Sequence, residues 1–246
     1  RTVTSRELEG CWELQEQQFS DGRAVLFNWE ASTWQFVGAD LADIGTFSSD
    51  QIGGTFSRDG SLYYFVQDDV LCRADVATGQ TERVALESDM RFLDVSGILP
   101  DSETLFLHCL LSPYSTESGT AILNVETGAY TMLQKDWYEP YCGAEGPEFL
   151  QFDNETMGYD VLYASEGRYY RADAALLHAA EADILPVSGS AYLLGAAQDT
   201  TLYRLESGIS ACLLQAEQLG GALRNAVWLP EQVLVGCVYG GGAFHL

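Results

Sequence analysis

The chain has 246 residues, of which 47% are hydrophobic, and this length and composition predict a single domain over residues 1–246 with a sizeable core. Its 12 Lys and Arg residues against 36 Asp and Glu residues give a formal net charge of -24, which repels phosphate backbones and anionic membrane surfaces and so excludes nucleic acid as an expected partner. No apolar run approaches the roughly 20 residues of a membrane-spanning helix, so we expect no membrane insertion.

Turn motifs recur along the chain at nearly constant steps. They begin at Asn28, Asp75 and Asn124, with a fourth in the Arg-Ala-Asp run that ends at Asp173, and subtracting these residue numbers gives steps of 47, 49 and 49. Periods of about 40 to 50 residues are typical of the blades of a propeller. Each motif is therefore predicted to end the third strand of a four-stranded blade.

The clearest unit covers residues 54–86. It contains a Ser-Arg-Asp-Gly turn at residues 57–60, a turn at Asp68 and Asp69, and an Ala-Thr-Gly turn at residues 77–79. Asp accepts hydrogen bonds within its own turn, and Gly adopts a positive φ at no steric cost, so both are typical of chain reversals. The pattern predicts four short antiparallel strands.

The second strand of each unit is a nearly continuous apolar run. These runs cover residues 62–66, 105–111, 161–164, 192–197 and 233–239. A strand with one solvated face alternates between apolar and polar residues, whereas a strand buried on both faces does not. The runs therefore predict sheets that pack against a neighbour on both sides, as blades do around an axis.

The run F-S-R-D-G-S-L-Y-Y-F at residues 56–65, followed by D-V-A-T-G at residues 75–79, resembles the repeat of TolB-like and WD-repeat-like bacterial β-propellers. The Trp-Asp dipeptide of true WD repeats is absent. The resemblance implies an all-β fold in which four-stranded blades form a ring. Counting the inner strands gives about six blades, with five or seven as alternatives. Because propellers host unrelated functions, the resemblance predicts architecture and not activity.

The later units depart from the repeat. Residues 174–182 are rich in the helix formers Ala and Leu, and they predict one short helix where an outer strand would otherwise lie. The fifth unit, residues 184–215, is compressed, and residues 222–246 supply only three strands. Since an open ring would leave a long exposed edge, we expect residues 1–7 to supply the missing strand. The alternative is closure by residues beyond this sequence or by another chain, and otherwise we expect a monomer.

Few residues in the sequence indicate catalysis or a metal. There is no nucleophile elbow, zinc-protease motif or dinucleotide fingerprint, and Lys135 is the one lysine. His108 lies in an apolar strand and is interpreted as a core residue, so we expect no metal and no cofactor. The six cysteines lack a C-x-x-C pair, and a disulfide framework is the alternative to burial as small hydrophobes. The cysteines predicted to be buried in strands are Cys72, Cys109, Cys212 and Cys237.

Large rings concentrate in residues 134–148, which we predict to link the outer strand of the third blade to the inner strand of the fourth. In a propeller, such links lie on the same face as the turns between second and third strands, which here include the loop of residues 112–120. These rings therefore either cover the mouth of the channel or bind a ligand. The predicted ligand-binding residues are Trp137, Tyr138, Glu139, Tyr141, Tyr114, Asp68 and Asp69. The other tryptophans are interpreted as blade packing: Trp12, Trp29, Trp34 and Trp228.

A repeat scaffold without a recognisable catalytic set predicts a non-catalytic module that binds a protein, a peptide or a glycan through this face. Two alternatives stay open. One is a carbohydrate-active hydrolase or lyase that uses carboxylates in the axial channel, and the other is a structural or sensor domain of a larger envelope protein. The acidity, together with a start at Arg1 rather than Met, favours the bacterial cell envelope or secretion over the cytoplasm.

Overall fold

The computed structural model describes residues 5–132, apart from residues 16, 18, 87–89, 99–102, 111, 113 and 115, and beyond them the strands between residues 133 and 245 as backbone. These described residues form 24 strands in six antiparallel four-stranded sheets, and no helix occurs among them. The prediction of an all-β propeller with about six four-stranded blades is confirmed. No helix in the described part of the chain has the length and apolar character needed to cross a bilayer.

The first strand of the chain, β1 (Glu7–Leu8), belongs to the last sheet, and the next twelve strands build blades 1 to 3 from the inner strand outward. Blade 1 consists of β2 (Trp12–Leu14), β3 (Ala24–Asn28), β4 (Thr33–Val37) and β5 (Asp43–Ser48). Blade 2 consists of β6 (Gly54–Phe56), β7 (Leu62–Gln67), β8 (Val70–Asp75) and β9 (Thr81–Arg83). Blade 3 consists of β10 (Phe92–Ile98), β11 (Thr104–Leu110), β12 (Ser118–Asn124) and β13 (Tyr130–Leu133).

The second half of the chain repeats this arrangement. Blade 4 consists of β14 (Tyr138–Gly143), β15 (Gly146–Asp153), β16 (Gly158–Ser165) and β17 (Arg168–Arg171). Blade 5 consists of β18 (Ala182–Leu185), β19 (Ala191–Gly195), β20 (Thr201–Glu206) and β21 (Ile209–Gln215). Blade 6 consists of β22 (Ala222–Leu229), β23 (Gln232–Val238), β24 (Phe244–His245) and, as its outer strand, β1.

The first strand of the chain closes the ring. Glu7 pairs with His245 and Leu8 with Phe244, so β1 completes blade 6, and the inner strand β22 contacts β2 of blade 1. Arg6 then reaches blade 1, where its guanidinium donates to the carbonyl oxygen of Leu41 at 2.8 Å. The prediction that residues 1–7 supply the missing strand is confirmed at Glu7, and the strand extends to Leu8. Residues 1–4 lie outside the described residues.

Aromatic side chains fill the space between blades 1 and 2. Trp34 of β4 and Phe56 of β6 pack around Tyr63 of β7, with ring centroids 4.8 to 5.8 Å apart. The next residue, Tyr64, points the other way into the cluster that joins blade 2 to blade 3, where Leu105 is fully buried. Successive residues of β7 thus pack against different neighbours, which is the two-sided burial that its continuous apolar run predicts.

The repeated turn motifs occupy two different places in a blade. Asp75 and Asn124 end third strands, as predicted, but Asn28 ends the second strand β3. The Asn28 Oδ1 accepts hydrogen bonds from the amides of Glu30 and Ala31, both at 2.9 Å, and this local bonding stabilises any hairpin end. The predicted position of the first motif was therefore wrong, because the motif specifies a turn and not its place in the sheet.

Blade 4 begins earlier than predicted. β14 lies within the predicted link of residues 134–148, which moves the run at residues 161–164 to the third strand and Arg171 to the end of the fourth. Pro140 made this segment resemble a loop. A proline has no amide to pair, but β14 is an edge strand of its sheet, and an edge strand tolerates that loss.

Several other predictions can be compared with the described residues. The helix predicted at residues 174–182 falls outside them, except that Ala182 begins β18. Cys72 and Cys109 are buried free thiols, as predicted, and burial raises the pKa of Cys109 to about 11. His108 lies partly buried in β11. The single domain over residues 1–246 stays a prediction. The cysteines whose strands are described without their side chains are Cys212 in β21 and Cys237 in β23.

Candidate binding face

The antiparallel strand order gives each blade two ends, which lie on two faces of the ring. One face, called the link face below, carries the turns between second and third strands and the links from each outer strand to the next inner strand. The opposite face carries the turns between first and second strands and between third and fourth strands. The β7–β8 turn, with Asp68 and Asp69, and the β11–β12 loop, with Tyr114, both lie on the link face, as predicted.

Asp68 and Asp69 form a two-residue hairpin turn. Their φ angles are 52° and 62°, and Gln67 pairs with Val70 on either side of them. Two consecutive positive φ angles match the right-handed twist of the flanking strands, and Asp adopts them more readily than most residues. Turn geometry therefore explains why two aspartates stand here without requiring a ligand.

Asp69 also ties this turn to the link into blade 3. Its carboxylate accepts hydrogen bonds from Arg91 Nη2 at 2.5 Å and Nε at 2.9 Å, and its carbonyl oxygen accepts one from the Phe92 amide at 3.0 Å. The amide of Leu110 in turn donates to the carbonyl oxygen of Arg91 at 2.9 Å. Because Leu110 ends β11, these bonds run from the Asp69 turn to the loop that carries Tyr114.

Tyr114 is 98% exposed, the highest exposure among the large apolar side chains that the structure describes. Trp137 lies outside the described residues, so its predicted place stays untested. Tyr138, Glu139 and Tyr141 lie in β14 and not in a link, which corrects the predicted geometry. Tyr138 begins this strand at the link face, and Tyr141 lies about 10 Å further along it, toward the opposite face.

Three exposed apolar residues on the link face were not among the predicted site residues. Trp29, in the β3–β4 turn, is 52% exposed, Ile52, in the link to blade 2, is 48% exposed, and Leu93, near the start of β10, is 41% exposed. The interpretation of Trp29 as blade packing holds only in part, because its ring meets Phe27 yet stays half exposed, whereas Trp34 is buried and Trp12 is partly buried. In the sequence, the position of Trp29 directly after the turn residue Asn28 could have indicated that its ring is exposed.

Trp29 is held in place although it is half exposed. Its Nε1 donates to Glu13 Oε2 at 2.8 Å, its amide donates to the Cys11 carbonyl oxygen at 3.0 Å, and its ring meets Phe27 edge-on at 4.9 Å. A ring fixed in this way loses little conformational entropy when a ligand covers it, which favours binding.

The link before β6 touches the inner strand of blade 3. A Cβ added to Gly53 would lie 3.1 Å from Asp94 Oδ1, and Tyr63 donates its hydroxyl proton to the Gln51 carbonyl oxygen at 2.9 Å. Burial and the neighbouring Asp94 carboxylate raise the pKa of Tyr63, which keeps it a donor. Ile52 and Leu93 are the chain neighbours of Gly53 and Asp94, so they share one region of the link face at the inner strands of blades 2 and 3.

Titratable groups give little sign of catalysis in the described residues. The clearest is Glu103, in the β10–β11 turn on the opposite face, where burial raises the pKa of its carboxyl group and the Arg58 amide donates to Oε1 at 3.2 Å. No group of three or more His, Cys, Asp or Glu side chains in the described part of the chain is arranged to hold a metal ion.

No protein-family model and no curated protein matches the chain. Solved structures do match. Regucalcin from Agrobacterium tumefaciens, a calcium-binding protein, is 15% identical with a TM-score of 0.55 over 96% of this chain and 88% of that chain. TolB from Acinetobacter baumannii is 13% identical with a TM-score of 0.52 over 91% of this chain and 62% of that chain.

Two further solved structures match nearly the whole chain. The Cps50 (Swd1) β-propeller domain from Myceliophteria thermophila is 8% identical, with a TM-score of 0.53 and 98% of each chain covered. The Pyrococcus horikoshii acylaminoacyl peptidase is 11% identical, with a TM-score of 0.52 over 96% of this chain, and the chain spans only 46% of the length of that peptidase. At these identities the likeness shows the fold alone. The chain therefore has the β-propeller fold, as its resemblance to TolB-like and WD-repeat-like propellers predicted.

Proposed function

We propose that the chain is a non-catalytic module that binds a protein, a peptide or a glycan through its link face. One observation carries the proposal: of the six large apolar side chains that the described residues expose, Trp29, Ile52, Leu93 and Tyr114 lie at this face. The other two, Ile44 and Tyr130, lie on the outer strands β5 and β13. Apolar side chains gathered on the loops of a rigid scaffold are typical of recognition surfaces.

The predicted residues Asp68, Asp69, Tyr114, Tyr138 and Trp137 belong to this proposal. Asp69 supports the face through Arg91, while Tyr114 is available for direct contact. For Glu139 and Tyr141 the proposal is weaker, because β14 carries them away from the link face. A setting in the bacterial cell envelope is part of the proposal, and only the acidic composition supports it.

The alternative is a carbohydrate-active hydrolase or lyase with carboxylates in the axial channel. Glu13 of β2 and Asp94 of β10 stand on inner strands, and the inner strands β14 and β18 add Glu139 and Asp183, which is the observation in its favour. A glycosidase pair needs its two carboxyl groups about 5 to 9.5 Å apart. Glu13 accepts a hydrogen bond from Trp29, which gives it a structural role.

A peptide and glycan array probed with the whole chain tests the proposed function. We expect binding to one class, and we expect a Trp29→Ala plus Tyr114→Ala variant to lose it. Tyr130→Ala is the matched control, because Tyr130 is a half-exposed ring on the rim. A second variant, Trp137→Ala plus Tyr138→Ala, tests the two predicted aromatic residues at and just before the first residue of β14, and we expect it to weaken binding as well. The proposal would be contradicted if both double variants kept full binding, or if the chain cleaved a glycan without staying bound to it.

A further inference from the structure

We infer that the link face over blades 2 and 3 binds a basic protein segment that also carries apolar side chains. The inference rests on the proposed binding function and names the chemistry of the partner. The surface concerned, called the mouth patch below, consists of Ile52, Asp69, Arg91, Leu93 and Tyr114.

Hydrogen bonds and close contacts make the mouth patch continuous. Arg91 is bound to Asp69 on the β7–β8 turn by its side chain and to Leu110 at the start of the Tyr114 loop by its backbone. Leu93 follows two residues after Arg91, and its neighbour Asp94 lies beside Gly53, next to Ile52. The patch therefore spans one turn, two links and one loop without a break.

The apolar members of the patch favour a protein over a glycan. Ile52 and Leu93 are aliphatic and half exposed, and they lie beside the inner strand β6 and on the inner strand β10. Branched aliphatic side chains offer no flat ring on which a sugar could stack, but they match the apolar residues of a peptide or protein surface. Tyr114 adds an exposed ring of the kind that is enriched in protein interfaces.

The charge around the patch favours a basic partner. The carboxylates of Asp50, Asp68, Asp94 and Glu117 stand on the same loops and strand, whereas Arg91 is the one basic residue in the sequence of residues 49–53, 67–70, 90–94 and 112–118. Arg91 already faces Asp69 at 2.5 Å, so its charge is compensated. A net negative surface that surrounds an apolar patch complements Arg and Lys side chains, and the charge of -24 on the whole chain adds attraction at a distance.

Short synthetic peptides of one length provide the probe. One alternates Arg with Leu, a second replaces Arg by Glu, and a third replaces Leu by Ser, and a glycan array is probed beside them. We expect the Arg/Leu peptide to bind most tightly and its affinity to fall as NaCl is raised, because salt screens exposed charges. Replacing the Arg residues by Glu, or the Leu residues by Ser, should weaken binding by roughly fivefold or more, the loss expected when an important interface contact is removed.

Paired variants of the whole chain test whether the Arg/Leu peptide binds at the mouth patch. Asp50→Asn with Asp68→Asn removes two charges beside the patch, and Asn tolerates the positive φ of residue 68. The matched control is Asp40→Asn with Glu126→Gln, which removes two charges from exposed turns on the opposite face. Leu93→Ala tests the apolar contact, and Ile44→Ala on the rim is its control. We expect only the patch variants to weaken Arg/Leu binding, while thermal melting shows that every variant folds.

The outcomes separate this inference from the proposed function. If the Glu/Leu peptide or a glycan binds best, and Trp29→Ala plus Tyr114→Ala abolishes that binding, the link face is a binding surface and the basic partner is wrong. If Arg/Leu binding is independent of salt or equal in patch and control variants, the inference is likewise wrong. If no peptide and no glycan binds, both the inference and the proposed function are overturned.

Discussion

Single polar residues explain the turns of this propeller. Asp75 Oδ1 accepts hydrogen bonds from the Thr78 amide and hydroxyl, both at 2.7 Å, and Asn124 Oδ1 accepts them from the same two groups of Thr127 at 2.9 and 3.0 Å. The charged and the neutral side chain build the same turn, so the local chemistry can be predicted from the sequence. The position of such a turn within the blade cannot be predicted in this way, because Asn28 accepts similar hydrogen bonds between a different pair of strands.

Gly79 and Gly128 follow these turns at φ angles of 70° and 71°, and nothing lies within 4 Å of a Cβ added to either. Replacing either by Ala therefore costs backbone strain and no steric contact. We expect Gly79→Ala and Gly128→Ala each to lower the free energy of unfolding by about 1–2 kcal/mol, the cost of the left-handed conformation for a residue with a Cβ. Urea unfolding at constant temperature measures this change.

Gly45 is the matched control for both glycines. It also has open space around an added Cβ, but it lies in the strand β5 without a positive φ. Gly45→Ala should leave stability unchanged or raise it by about 0.5–1 kcal/mol, because Ala loses less entropy than Gly when a strand forms. Equal losses in all three variants would show that backbone conformation is not the cause.

At the scale of strands, the apolar runs in β7 and β11 were predicted correctly as second strands, whereas β14 was missed and the run at residues 161–164 was therefore assigned to the wrong strand of blade 4. β7 and β11 are continuous apolar runs and were placed correctly, since each is buried between two blades. β14 reads Y-E-P-Y-C-G, in which proline and glycine indicate a turn, and its edge position is a property of the sheet that one segment does not encode. The candidate site divides in the same way. The Asp69 turn could be predicted from the local sequence, whereas the exposure of Leu93 depends on which strands surround it.

Gln17 clamps an inner strand from the neighbouring blade. Its side chain, from the β2–β3 loop, accepts a hydrogen bond from the Phe56 amide at 2.9 Å and donates one to the Phe56 carbonyl oxygen at 2.5 Å. β6 is the inner edge of its sheet, so this amide replaces the missing neighbouring strand. We expect Gln17→Ala to lower the free energy of unfolding by about 1–3 kcal/mol, because it leaves partly buried backbone groups without partners.

The control for this clamp is Gln35→Ala. The Gln35 amide also donates to backbone, to the Gly45 carbonyl oxygen at 3.0 Å on the exposed rim, where water can replace it, and at a longer 3.2 Å to the partly buried Phe36 carbonyl oxygen. Gln35→Ala should change the free energy of unfolding by less than about 0.5 kcal/mol. Hydrogen exchange at the Phe56 amide should accelerate in Gln17→Ala and not in Gln35→Ala. Unchanged exchange at Phe56 would show that the clamp does not hold the strand.

At the scale of the whole molecule, closure depends on a strand pairing of only two residue pairs, Glu7 with His245 and Leu8 with Phe244. β1 has two residues, yet Leu8 is buried with Leu14, Ala24 and Leu26 of blade 1. The outer strand of blade 6 is thus held by the core of its neighbour as well as by its own sheet. The sequence predicted closure from the count of strands, but this packing between the last and first blades follows only from the ring.

Leu8→Ala therefore tests whether the ring is a single cooperative unit. The substitution removes a buried side chain at the closing contact, so we expect the free energy of unfolding to fall by about 2–5 kcal/mol, as for other buried leucines. Ile44→Ala, at a half-exposed residue on the rim of blade 1, should change it by less than about 0.5 kcal/mol. Because β1 joins the two ends of the ring, amide exchange should accelerate in blades 1 and 6 together. Acceleration confined to blade 6, or melting equal to that of Ile44→Ala, would show that β1 adds a strand without closing the ring.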